Sequence, residues 1–268
     1  MKTLFVVSDI HGDYDALTNG LREAKYDENN ESHLLIVIGD LFDRGTQSKE
    51  VYEYLRRLTD EGKAIVTRGN HDLMFQDYLE GGDCLFNFSH NGFDKTLDSF
   101  LERTRAFESY MLIDLHMMDA GYEDIEKCFS QFQNNSRKLI LQEYKGIKEW
   151  LNDLPDYYET ENYIFTHGCI DTKAKDWHFP EKMHYDYEGW NACHWTDSDF
   201  FGKKIKNTNK TVVVGHWHTD VIRERYGLKY DGTNKILVRD DGQIIMIDTC
   251  TPITHKVNVL IINDEKLL

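Results

Sequence analysis

The residues able to do chemistry in this chain sit at the ends of short apolar runs. They are Asp9 and His11; Asp40, Asp43 and Arg44; Arg68, Asn70 and His71; His167; and His216 with His218. Oxygen and imidazole donors without a thiolate suit Mn²⁺, Fe or Zn²⁺. Asp9 and His11, one residue apart in an extended segment, point to the same side and can share one ion. Asp40 has two carboxylate oxygens and can serve two ions. Asn70 offers a neutral carbonyl oxygen, and His167 with His216 complete a second site. Two divalent ions held this way would bind a phosphate and lower the pKa of a bridging water, so that hydroxide attacks phosphorus in line with the leaving oxygen. Arg44 and Arg68 would neutralise the phosphoryl oxygens. His71 would protonate the leaving alkoxide, with Asp43 orienting its other nitrogen. A lone histidine or aspartate at a strand end is usually packed, solvated or a helix cap. The convergence of five such strand ends is what carries the reading.

Those positions require a particular scaffold. Leu34 to Ile38 is a β-branched run closed by Gly39 and reads as a buried strand, as do Thr3 to Val7 and Ala64 to Thr67. Leu17, Leu21 and Ala24 follow at helical spacing, and so do Val51, Tyr54, Leu55 and Leu58 before Gly62. Strand, helix, strand, helix, strand implies a parallel sheet, with all three loops at one edge. Strands are also expected at 162–166, 211–214 and 257–262, with a hairpin over 235–247. Residues 73–153 read as a mostly helical insertion within one domain spanning 1–268, its apolar positions including Phe100, Met111, Ile113, Leu115, Leu139 and Trp150. Residues 171–209 read as a long irregular loop with aromatic anchors.

The totals narrow the class. At 268 residues and 40% hydrophobic, the chain can bury a large core. A net charge of −16 argues against long nucleic acid or an anionic membrane as partner. No apolar run is long enough to span a bilayer, and the N-terminus lacks the apolar core of a secretory signal, so a cytoplasmic location is expected. Five scattered cysteines, none in a Cys-x-x-Cys pair, are expected to be reduced thiols.

With those residues in view, the chain resembles the calcineurin-like metallophosphoesterase superfamily. The resemblance rests on Asp9-x-His11-Gly12, Gly39-Asp40-x-x-Asp43-Arg44-Gly45, Arg68-Gly69-Asn70-His71, His167 and Gly215-His216. It is greatest to the phosphoprotein phosphatase branch, which includes bacterial and phage serine/threonine phosphatases and diadenosine tetraphosphate hydrolases. Asn91-Gly92-x-x-x-Thr96 and Ile247-Asp248-Thr249 are similar to segments of bacterial members. The resemblance implies an α/β fold with a two-sheet sandwich flanked by helices. It also implies Asp9, His11 and Asp40 on one metal, with Asp40, Asn70, His167 and His216 on the other. The departures are Asp72 where the branch has Glu, Cys169 after His167-Gly168, and Asp197 in the Trp195-Thr196-Asp197 segment where an arginine is usual. The extra His218, as in phosphodiesterase members, would be a seventh ligand on the first metal. The substrates implied are phosphorylated small molecules or phosphoproteins, with phosphomonoester hydrolysis and serine/threonine protein phosphatase activity foremost. The alternatives are dinucleoside polyphosphates and, third, phosphodiesters.

Overall fold

A computed structural model of the chain describes residues 1–101, 122–230 and 232–267. The strands are β1 (Lys2–Val7), β2 (His33–Ile38), β3 (Ala64–Thr67), β4 (Tyr157–Glu159), β5 (Tyr163–Thr166), β6 (Met183–His184), β7 (Tyr187–Glu188), β8 (Thr211–Val214), β9 (Leu237–Val238), β10 (Ile244–Met246) and β11 (Leu260–Glu265). The helices are α1 (Tyr14–Glu23), α2 (Ser48–Asp60), α3 (Asn70–Glu80), α4 (Leu85–His90), α5 (Phe93–Leu101), α6 (Tyr122–Glu143), α7 (Ile147–Asp153), α8 (Gly189–His194), α9 (Thr219–Arg225) and α10 (Thr251–Thr254). One sheet runs β11-β1-β2-β3 and a second β4-β5-β8-β10-β9, with β6 and β7 a separate pair.

In the first sheet β1, β2 and β3 are parallel, and Val7 pairs with Val37 and Val37 with Val66. That register brings the loops after the three strands to one edge. In the second, β5, β8 and β10 are parallel, so His167 and His216 leave its matching edge. Alternation sorts each strand between two cores. Leu4, Val6, Leu34, Ile36 and Ile38 face Phe165, Val213 and Ile247 between the sheets. Phe5, Val7, Leu35 and Val37 face outward, beneath Leu17, Leu21, Val51 and Leu55 of α1 and α2. The sandwich and its helical flanks are the α/β architecture expected.

Helices α3 to α7 pack beside the first sheet around an aromatic cluster. Phe75 of α3 lies 4.9 Å from Phe42, 5.7 Å from Phe93 and 5.4 Å from Phe100, ring centre to ring centre. Met111, Ile113 and Leu115 of the expected insertion lie outside the described residues. Three expectations change. The last strand is Leu260–Glu265, not 257–262, because Val257 turns inward onto the helical core. Asn70 and His71 are not strand-end loop residues but the first turn of α3. The 171–209 segment is not irregular throughout. It holds β6, β7, α8 and a 3₁₀ turn over Ser198–Gly202, anchored by Trp177, Phe200 and Phe201 buried against the outer face of the second sheet. All five cysteines are free, and every one but Cys128 is buried. Among the described residues no helix is long and apolar enough to cross a membrane.

Phe75 is fully buried where the insertion meets the Asp40 loop. Phe75→Ala should cost about 3–5 kcal/mol, read as a drop in the urea midpoint with the cooperativity retained.

Candidate metal centre

The strand ends are held by backbone bonds that cross between loops. Asp9 N–H donates to Gly39 O at 3.1 Å, His11 N–H to Asp40 O at 3.0 Å, and Gly12 N–H to Leu41 O at 2.8 Å. Gly215 N–H donates to His167 O at 2.9 Å, which stitches the second sheet's loops together. The bends this demands are sharp. Asp9, His11, Asp40, Asp43, Arg44 and His216 all have φ between 48° and 71°. That region costs a side chain about 1–3 kcal/mol, and such residues collect where function requires a particular side-chain aim. Gly69 is needed for a different reason. A Cβ there would lie 2.2 Å from Asp40 Oδ1, so only glycine lets this loop approach Asp40.

Asp72 organises the pair of loops, a role not apparent from the sequence comparison with the family. Its carboxylate accepts N–H bonds from Asp40 (3.0 Å), Leu41 (2.9 Å) and Gly69 (2.7 Å). The Gly69-x-x-Asp72 spacing of a helix-capping acid could have revealed it. Thr96, from the Asn91-Gly92-x-x-x-Thr96 segment, accepts from Asp43 N–H at 2.8 Å and donates to Asp43 Oδ1 at 3.0 Å. The other carboxylate oxygen of Asp43 lies 2.6 Å from His71 Nδ1.

Four donors converge at the centre. His167 Nδ1 lies 3.0 Å from Ile38 O, an atom that can only accept, so Nδ1 carries the proton. In the neutral ring Nε2 is then a lone pair. It faces the Asn70 amide oxygen at 2.9 Å, Asp40 Oδ1 at 3.3 Å and His216 Nδ1 at 3.2 Å. His11 repeats the arrangement: Nδ1 is 2.9 Å from Phe42 O, leaving Nε2 toward Asp40 Oδ2 at 3.6 Å. Two groups of potential metal donors result, His11-Asp40-His71 and Asp40-His167-His216, which share Asp40. Asp9 is buried beside them, and its carboxylate accepts His216 N–H at 3.1 Å. The Arg44 guanidinium bridges His11 Nε2 (3.0 Å) and His71 Nε2 (3.2 Å).

The electrostatics call for positive charge. Burial works to lower the His167 imidazole, but the Asp40 and Asp9 carboxylates outweigh it and push it up to about 10. Burial likewise works to raise Asp40, yet the His167 and His71 imidazoles hold it well below the usual carboxylate range. Burial raises Asp9 and Asp72 to about 6 each, and Asp248, beside Asp9, to about 7. A buried set of oxygen and imidazole donors around one shared carboxylate, holding protons that a bound cation would displace, fits divalent cations of the Mn²⁺, Fe or Zn²⁺ kind.

Asp9, expected on the first ion, is in neither donor group, and two further expected site residues stand outside them as well. Arg68 donates from Nε to Leu154 O and from Nη2 to Asn152 O, both at 2.8 Å, with Asp156 3.7 Å away. It satisfies the orphan carbonyls at the end of α7 and is not turned toward phosphate. His218 stands outside both donor groups; it caps the start of α9, and its Nε2 lies 3.9 Å from Oδ2 of Asp248, the carboxyl beside Asp9.

Residues 2–220 match the family profile described as calcineurin-like phosphoesterase. The chain is 36% identical over 246 residues to a symmetrical bis(5'-nucleosyl)-tetraphosphatase of Klebsiella pneumoniae, covering 80% of each protein. It is 39% identical over 76 residues to serine/threonine-protein phosphatase 1 of Salmonella typhimurium, covering 28% of this chain and 32% of that one. An asymmetrical bis(5'-nucleosyl)-tetraphosphatase of Bacillus subtilis is likewise matched over only 34% of its length. In fold, a cold-active protein-tyrosine phosphatase of a Shewanella species superposes with TM-score 0.54 at 17% identity, covering 98% of this chain and 76% of that one.

Two outcomes are expected. Asp72→Ala leaves three buried N–H groups unpaired and should cost at least about 3 kcal/mol, together with a loss of bound metal measured by elemental analysis. The raised carboxyls also set a pH dependence. Folded Asp9, Asp72 and Asp248 keep protons that the unfolded chain releases near pH 3.8, so stability falls as pH rises toward their folded values of about 6 to 7. Burial holds His11 and His216 neutral, an opposing contribution that makes stability rise with pH up to about 6.5, so the thermal midpoint of chelator-treated protein should drop above about pH 6.5, where Asp248 and then His167 give up their protons. Added Mn²⁺ should restore it; a flat profile would contradict the account.

Proposed function

The chain belongs to the calcineurin-like phosphoesterase family, and on that premise we propose that it hydrolyses phosphomonoesters with two divalent metal ions, Mn²⁺ first among them. In this reading Asp9, His11 and Asp40 hold one ion, and Asp40, Asn70, His167 and His216 hold the other. The ions would supply charge that polarises the phosphoryl group and makes a water more acidic. The protein's own part begins with Arg44, whose two terminal nitrogens can turn from His11 and His71 to the phosphoryl oxygens. His71 delivers a proton to the leaving alkoxide from Nε2. Asp43 fixes the ring by accepting the Nδ1 proton, and Thr96 fixes Asp43. Arg68 acts as a positioning residue, tying β3's end to α7.

The observation that carries this reading is the 2.6 Å Asp43–His71 pair set beside a carboxylate shared by two donor groups. Phosphoserine or phosphothreonine in proteins is one substrate class. The second reading, a dinucleoside polyphosphate, is supported by the extent of the likeness to the Klebsiella pneumoniae protein, 80% of both chains.

Manganese-loaded protein should turn over p-nitrophenyl phosphate. His71→Asn should lower kcat by about 100-fold or more with little change in metal content. Asp40→Asn should remove metal and activity together. Full activity in both variants would sink the assignment. A panel of phosphopeptide, diadenosine tetraphosphate and bis-p-nitrophenyl phosphate ranks the substrate classes by kcat/KM.

A further inference from the structure

Asn70, a donor in the centre, also lines a cavity of about 460 Å³. Asp77, Glu80 and Asp83 border this cavity, and among the described residues its lining holds no lysine, arginine or histidine. Two of the three acids are already engaged. Glu80 accepts from Asn152 Nδ2 at 3.2 Å, with Lys148 at 3.9 Å, and Asp83 accepts from Gln133 Nε2 at 2.7 Å. Asp77 differs: it is exposed, and among the described residues its carboxylate makes no ion pair and no hydrogen bond. Tyr187 stands close enough to feel it. Burial first, and the Asp77 carboxylate second, push the Tyr187 hydroxyl above its ordinary range.

Part of the wall is aromatic. Tyr187 and Trp195 stack with ring centres 5.6 Å apart and planes 7° apart, and Phe86 adds an exposed ring. Carboxylates alone would suit a hydrated metal ion. Flat π faces beside a free carboxylate suit a guanidinium, which is planar, weakly hydrated and able to stack while it donates. An anionic group is repelled from the same cavity. The helix sets the spacing. Asn70 and Asp77 both belong to α3, seven residues apart and so on one face. At the helical rise per residue they stand about 10 Å apart along the axis. An extended peptide covers that distance in about three residues.

We propose that this cavity is a subsite for an arginine side chain of a phosphopeptide, about two or three residues from the phosphorylated one. Asp77 pairs with the guanidinium, and the Tyr187–Trp195 pair covers its flat face. The subsite rests on the reading of the donor cluster as the phosphate site. It names the kind of phosphoprotein segment that site prefers, one with a positive charge close to the phosphate.

The test uses short phosphoserine peptides in which arginine, or its uncharged isostere citrulline, is placed in turn at each position on either side of the phosphate. With manganese-loaded wild type, arginine about two or three residues away on one side should lower KM about tenfold relative to citrulline, with kcat little changed. Asp77→Asn should remove most of that difference. Asp77→Lys should reverse the preference, so that a glutamate peptide has the lower KM. A ratio of KM values within one protein does not depend on how much of it is folded, so a poorly folding variant cannot imitate the result. Equal KM for arginine and citrulline at every position, or a preference that Asp77→Lys leaves intact, would overturn the subsite. If wild type hydrolyses no phosphopeptide, the phosphoprotein reading fails, and calorimetric titration of the metal-free chain with the unphosphorylated peptides still decides the subsite. Arginine peptide bound about fivefold more tightly than citrulline peptide by wild type, and not by Asp77→Lys, supports it; equal affinities in wild type overturn it.

Discussion

A single buried carboxylate, that of Asp40, sets the geometry on which the rest depends. Its side chain accepts the His71 N–H at 3.0 Å and lies within 4 Å of His11, His71 and His167. Its backbone N–H is in turn held by Asp72. Three loops from two sheets are thus drawn to one anion. In a dry interior that carboxylate requires positive charge, which a protonated His167 or a bound cation supplies. The fold and the site are therefore coupled: the charge that chemistry needs is also the charge that these buried groups need.

The strained loops follow from that coupling. Six residues of the candidate site adopt left-handed backbone, which glycine alone takes at little cost. The parallel register of β1, β2 and β3 and the cross-loop N–H bonds hold them there. Asp72, one methylene shorter than the family's usual glutamate, still reaches three backbone N–H groups, because α3 begins at Asn70 and turns its first-turn acid back over the Gly69 loop. Thr96 does the corresponding work for Asp43 from the helical insertion. Helices that the pattern alone presents as packing thus reach into the centre and hold the Asp43–His71 pair.

What surrounds the centre differs on its two sides. Arg44 provides the cation at the donor cluster, and the adjoining cavity is bordered by carboxylates and amides. The two sides of the centre therefore differ in electrostatic potential. The segment around Trp195 contributes an aromatic surface there, in place of the arginine expected at Asp197, whose side chain is largely exposed and lies 3.7 Å from His184.

Much of this protein was legible before any coordinates. Short β-branched runs marked the strands, and oxygen and imidazole donors just beyond them pointed to a candidate centre, because strand periodicity and donor chemistry are local properties of residue type. The fates of Arg68 and His218 were not legible. Each has the right type at the right spacing, but orphan carbonyls at the end of α7 claim the first, and the second lies beside Asp248, outside both donor groups. Nor could spacing reveal the left-handed bends or Asn87 left unpaired in the interior. Those depend on which segments far apart in the chain meet. Residue types and their periods decide what each stretch can form; packing between distant stretches decides which of their polar groups are already partnered and which remain to bind something else.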